Sequence, residues 1–214
     1  MMTTKEALYK YVLRLGDDSL ILGQLLSELC GHGPILEEDI ATTNISLDLI
    51  GQATLFLEYA GSLSNEFKTN DELAFLRLEK DYLNVLLVEQ PNGHFGDTIM
   101  RQFLFDAFRL PLLTKLQESK DKTLSSIAEK AVKETKYHLR HSSEWVVRLG
   151  DGTEESHHKI QESLNTLYRY SHELFFVDEA DVLLQQEAII PELDLIKSQY
   201  SETVKDVLEM ATLS

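Results

Sequence analysis

Apolar residues recur three and four positions apart through almost the whole chain, in blocks separated by short turn signals, and this spacing predicts helices rather than strands. The first predicted helix runs from Asp17 or Asp18 to Cys30, carries Leu20, Ile21, Leu22, Leu25, Leu26 and Leu29, and closes on Gly31, Gly33 and Pro34. The second, from about Glu37 to Tyr59, is apolar nearly all round and is expected at the centre of the fold; its small or polar row is Asn44, Asp48, Gly51 and Gln52. A third helix is expected from Asp71 to about Glu89, with Glu79, Asp81 and Asn84 as its polar members and Pro91 as its stop. The fourth covers Asp97 to Glu118, with Pro111 inside it as the expected kink, and the fifth covers Lys122 to Leu149. The sixth opens behind Thr153 and reaches Phe176, and two more follow, from Asp178 to Ile190 and from Pro191 to Leu213. About seven to eight helices joined by short connections make an all-α antiparallel bundle, because short loops force consecutive helices side by side. No β-branched run alternates with these blocks, which disfavours a doubly wound α/β fold.

Composition narrows the class. At 214 residues, 43% hydrophobic, the chain is long enough for one sizeable core, and one domain over residues 1–214 is expected. Thirty-six acids against 20 bases give a net charge of −16, which repels a phosphate backbone and makes nucleic acid an unsuitable partner. The one cysteine, Cys30, forms no disulfide framework and is expected as a small buried apolar residue. Charges at Lys5, Glu6, Lys10 and Arg14 leave no signal-peptide core, and no apolar run approaches a membrane span, so a soluble cytoplasmic protein is expected.

The chemistry-bearing stretch is KETKYHLRHSSEWVVRLG, residues 133–150, where Ala131, Glu134, His138 and Trp145 fall on one helical stripe and His141 with Glu144 offers a second cluster. An acid and an imidazole one turn apart resemble half of a metal site. A carboxylate-bridged di-metal centre in a bundle takes one acid from each of two helices and an E-x-x-H pair from each of two others. Only Glu154 with His157 and Glu155 with His158 have that spacing, and both lie in the first turn of a helix, where side chains are usually wet. Asp48 offers a first acid, but the third block has Glu79 with Tyr82, or Asp81 with Asn84, where a pair is needed, and His172 and Glu173 are adjacent. The ligand set is therefore degenerate at Asp48, Glu79, Asp81, Tyr82, Asn84, Glu134 and His138, and no metal or other cofactor is expected in this chain. The carboxylates are expected to be paired or hydrogen-bonded, His138 to be a satisfied core imidazole, and Tyr82, Trp145 and Tyr168 to be packing residues. No nucleophile elbow, phosphate loop or dinucleotide fingerprint is present.

LRLGDD (13–18), CGHGP (30–34), NISLDLIGQA (44–53), LLVEQPNGHFGDT (86–98) and KETKYHLRHSSEWVVRLGDGT (133–153) together resemble the C-subunit family of ring-1,2-phenylacetyl-CoA epoxidase, over most of residues 11–185. The resemblance implies a ferritin-like bundle and a non-catalytic structural subunit of the aerobic phenylacetate degradation machinery. Its implied partner is the related catalytic subunit of the epoxidase complex, the one that holds the di-iron centre. It further implies an acyl-CoA contact near Asp81, Tyr82, Leu83 and Asn84 with Val182, Leu183 and Leu184. Family members usually continue into a further loop and last helix, whereas this sequence stops at Ser214, and that segment is expected to be absent. Two other readings remain open: a self-standing iron-dependent oxygenase or oxidase using Asp48, Glu134 and His138, and a self-associating storage bundle.

Overall fold

A computed structural model of the chain describes residues 2–64 and 69–214. The helices are α1 (Thr4–Ser27), α2 (Leu36–Leu63), α3 (Asn70–Phe75), α4 (Phe95–Leu116), α5 (Lys122–Gly150), α6 (Glu154–Leu167), α7 (Glu179–Gln186) and α8 (Leu193–Met210). Short 3₁₀ segments cover Glu79–Asp81 and Tyr168–Phe175, and the described residues contain no strand. The fold is an all-α helical bundle, as the periodicity predicts. None of the described helices is long and apolar enough to cross a membrane.

Helix α1 begins thirteen residues before Asp17, at Thr4, because Thr3 and Glu6 form a capping box that satisfies the first backbone donors. Asp17 and Asp18 are consequently buried in mid-helix rather than capping its start. Helices α1 and α2 run antiparallel at close range: a Cβ on Gly16 would meet Leu57, and one on Gly23 would meet Leu49 and Ile50. Helices α4 and α5 form the second hairpin, and α4 continues through Pro111 to Leu116. The apolar faces of α1, α2, α4 and α5 enclose a core in which Phe56, Phe103, Phe105 and Met100 are fully buried. Helix α7 packs on α1 through Arg14 and Asp181, α6 is tied to α4 by the hydrogen bond from the Ser163 hydroxyl to Asp97 (2.7 Å), and the end of α8 packs on α5.

Three further expectations fail for identifiable reasons. The third block is helical only over α3, because its backbone is captured by α1: Leu83 N–H donates to Asp17 Oδ2 and Val85 N–H to Asp18 Oδ1, both at 2.9 Å. Arg77 adds a paired contact to both Asp17 oxygens and donates to the Asp81 carbonyl, so donors and acceptors that a helix would use internally are spent across the fold. Helix α2 is not enclosed all round, since Leu36, Ile40 and Leu47 are exposed on one stripe. Cys30 is exposed, in the turn after α1 where Gly31 takes φ +83°, a left-handed conformation suited to glycine.

Gly150 and Gly51 make opposite predictions. A Cβ at Gly150 would lie 2.3 Å from the Ala211 carbonyl oxygen, so Gly150→Ala is expected to destabilise the chain by about 1–3 kcal/mol as the end of α8 is pushed away. Gly51 lies on the exposed face of α2 with nothing within 4 Å, and Gly51→Ala is expected to stabilise by roughly 1 kcal/mol through helix propensity. Urea unfolding of the two variants beside the parent checks both signs.

Candidate functional site

Helices α2 and α5 meet along a polar seam. Asp48 and Gln52 sit one turn apart on α2, and Glu134 and His138 one turn apart on α5, so the antiparallel pairing faces them two by two. Gln52 Nε2 donates to Glu134 Oε2 at 2.9 Å, and His138 Nε2 lies 3.0 Å from Asp48 Oδ2. The imidazole is fully buried while Asp48 is 38% exposed, so a wet carboxylate holds a dry ring. With Nε2–H donating to Asp48, the neutral tautomer leaves Nδ1 as an acceptor, and this atom is buried with no hydrogen-bond partner among the described residues. Burial raises the Glu134 carboxyl pKa above its ordinary value, against the lowering effect of the Gln52 hydrogen bond. One turn further along α5, His141 pairs with Glu38 (2.8 Å) rather than with Glu144, which is exposed.

Behind the seam lies a group that metal-ligand spacing does not point to. Asp106 of α4 is buried, accepts a hydrogen bond from Gln102 Nε2 (2.8 Å), and has the Ser142 hydroxyl 3.2 Å from its other oxygen. Burial pushes its pKa up to about 7, although His138, these hydrogen bonds and Arg109 all oppose the shift. Arg109, one turn along α4, is also buried; it donates to the Leu15 carbonyl (3.1 Å) and the Ser19 hydroxyl (2.9 Å) and lies against Phe56 and Phe105. On its far side is Asp18, whose pKa burial raises to about 6, with Arg109 and the Val85 N–H holding it down. Ionisable groups thus cross the bundle in the order Asp48, His138, Asp106, Arg109, Asp18. The signal was available: Gln102, Asp106 and Arg109 share one face of α4 at helical spacing, inside an otherwise apolar block.

Of the predicted site residues, the structure brings together Asp48, Glu134 and His138. Glu79 is exposed in a 3₁₀ turn, and Asp81 accepts from the Leu78 N–H in the same turn. The Tyr82 hydroxyl reaches the Ala74 carbonyl and its ring lies under Arg77, while Asn84 donates to Glu89 at 3.0 Å. None of these four lies on the helices that carry the seam. The amides Gln52 and Gln102 donate to Glu134 and Asp106, so these carboxylates are already engaged by neutral donors. Among the described residues no three His, Cys, Asp or Glu side chains are grouped to hold a metal ion, so this donor set does not fit a di-iron group. Leu83 lines a cavity beside α1, together with Asp178 and Asp181 near and on α7; from that helix Val182 is exposed and Leu184 is buried in the core, with Leu183 packed against it.

The model of the family described as "Phenylacetic acid catabolic protein" matches residues 1–214. The chain belongs to that family. Its similarity to the C subunit of 1,2-phenylacetyl-CoA epoxidase from Escherichia coli (strain K12) is 48% identity over 204 residues, covering 95% of this chain and 82% of that protein. Family membership thus agrees with the resemblance carried by the NISLDLIGQA and KETKYHLRHSSEW stretches, which form the two sides of the seam.

Proposed function

We propose that this chain is a non-catalytic structural subunit of a cytoplasmic 1,2-phenylacetyl-CoA epoxidase, a monooxygenase, and that it binds and stabilises the di-iron catalytic subunit in aerobic phenylacetate catabolism. The observation that carries this reading is the α2–α4–α5 region, where the carboxylates of Asp48, Glu134 and Asp106 are each engaged by an amide, a hydroxyl or an imidazole rather than converging on one point. The bundle is taken as ferritin-like in architecture with its ligand positions converted to internal hydrogen bonds. A second support is the stripe of Leu36, Ile40 and Leu47 on α2, whose exposed apolar face suits an obligate interface of more than about 2,000 Å². An acyl-CoA contact near Leu83 would draw its phosphate-binding cations from the partner, because Lys10 and Arg14 are already paired with Asp178 and Asp181.

The test is iron content and complex formation measured together. The isolated chain, reconstituted anaerobically and desalted, is expected to retain little iron and to form a stable complex with the di-iron catalytic subunit on gel filtration. Close to two irons per chain, with turnover in the absence of any partner, would instead establish a self-standing oxygenase. Ile40→Asp with Leu47→Asp is expected to weaken the complex at least about tenfold, while moving the isolated chain's stability by less than about 0.5 kcal/mol. An unweakened complex would place the interface elsewhere.

A further inference from the structure

A cavity of about 220 Å³ opens beside α1, walled by Tyr11, Leu15, Phe108, Leu112, Leu174 and Ile190 and reached past Leu193 and Phe176. Its wall includes two buried carboxylates, Asp181, which is paired with Arg14, and Asp18. Asp18 is 3% exposed, and one of its oxygens accepts the Val85 N–H at 2.9 Å; among the described residues no hydrogen-bond donor reaches the other. That oxygen is not sealed in the core and Asp18 lines the cavity, so it is available to a ligand, and the seam and the Asp106 group do not use it.

Size and charge define what fits. A dry cavity of about 150 Å³ lined by Leu, Ile and Phe accommodates benzene, so about 220 Å³ takes an aromatic ring with a short substituent. The two cations at the mouth are neutralised: Lys10 Nζ lies 2.8 Å from Asp178, and Arg14 pairs with Asp181 and approaches Asp178 at 3.7 Å. Glu173, whose carboxylate accepts the Leu86 N–H (2.7 Å), also lines the cavity, so the lining carries four carboxylates, Asp18, Glu173, Asp178 and Asp181, against two cations, Lys10 and Arg14. This balance repels carboxylates and phosphates and favours a head group that donates hydrogen bonds.

We propose that the cavity is a binding site for a small aromatic molecule with a hydrogen-bond-donating head, an aryl alcohol or an arylalkylamine. The head bonds the free Asp18 oxygen, and the ring packs between Tyr11, Phe108 and Leu112. The inference is independent of the structural role proposed above, because it requires neither a partner nor iron.

Amide and methyl NMR of the isotopically labelled full chain, titrated with benzyl alcohol, 2-phenylethylamine and phenylacetate, tests it. Benzyl alcohol and 2-phenylethylamine are expected to bind saturably, with Kd of about 1 mM or tighter and shifts centred on Val85 and Leu112. Phenylacetate is expected to bind at least about tenfold more weakly. Asp18→Asn should reduce affinity for the amine about tenfold and affect the alcohol less, since the amide oxygen stays with the Val85 N–H and the amide N–H that replaces the free oxygen can donate to a hydroxyl but not to an ammonium. Leu193→Trp, at the partly exposed wall, should block both ligands with the unfolding midpoint unchanged, which keeps the test decisive if Asp18→Asn unfolds. Absence of saturable binding, phenylacetate binding as tightly as the amine, or binding that survives Leu193→Trp would each overturn the proposal.

Discussion

Arg109→Ala is expected to cost about 3–5 kcal/mol of folding stability, a large share of what a domain of this kind has, because it removes the cation that acts on both buried carboxylates, Asp18 and Asp106. Asp18 and Asp106 would then be left in the core without a common counter-charge, and the Leu15 carbonyl and Ser19 hydroxyl would lose a donor. The guanidinium is itself under strain from burial, which lowers its pKa from the usual value while Asp18, Tyr11 and Asp106 raise it. Among the described residues its Nε and Nη1 have no hydrogen-bond partner, so the group is held by charge and by its position against Phe56 and Phe105 more than by bonding. Arg109→Lys is expected to recover part of the loss, because it restores the charge without the planar contact to the two rings. Replacing all three groups together, with Asp18→Asn, Asp106→Asn and Arg109→Met, should be far less costly than Arg109→Ala alone, since no unpaired charge remains. Urea denaturation of the three variants distinguishes these outcomes. A loss below about 1 kcal/mol for Arg109→Ala would show that water or conformational relaxation satisfies the two carboxylates.

The helical blocks were legible because burial follows a 3.6-residue period in them; α5, with Leu124, Ile127, Ala128, Ala131, Thr135 and His138 inward, lies within a residue of its expected bounds. Asp48, Glu134 and His138 were legible for the same reason, as polar residues on inward or seam positions of otherwise apolar helices. The segment after α3 was not, because Phe75, Leu76, Leu78, Leu83 and Val85 carry a helical pattern that says nothing about Asp17 and Asp18 reaching across from α1 to take its backbone donors. The same two aspartates, read as a helix start, concealed the thirteen residues of α1 before them. Local sequence offers "Asp before an apolar run" as a cap; only the tertiary fold shows that these carboxylates cap a different segment. Asp106 was hidden because metal-ligand spacing pairs an acid with a histidine on one helix, whereas its neighbour His138 comes from another.

Asp106→Asn is expected to stabilise the chain at neutral and alkaline pH and to leave it nearly unchanged at pH 4. The folded carboxyl has a pKa of about 7 against an ordinary value of 3.8, so the folded state holds its proton more tightly than the unfolded state does. Between those values the folded state binds more protons, and stability therefore falls as pH rises, at up to about 1.4 kcal/mol per pH unit and by at most about 4 kcal/mol in total. Asparagine removes this dependence and keeps the local bonding: its oxygen accepts from Gln102, and its amide donates to the Ser142 hydroxyl, which in turn bonds the His138 carbonyl at 2.9 Å. The stability difference between variant and parent should be close to zero at pH 4 and reach roughly 2–4 kcal/mol in the variant's favour by pH 8. Taking the difference cancels the titration of the exposed carboxylates, which both proteins share. Asp18, raised to about 6, adds a smaller fall of the same sign, but it shares Arg109 with Asp106, so the two effects do not sum. Parallel stability curves for parent and variant from pH 4 to 8 would mean that Asp106 is ionised throughout and that Arg109 compensates it fully. In that case Arg109→Ala would cost more in the parent than in the Asp106→Asn background by the whole energy of the pair.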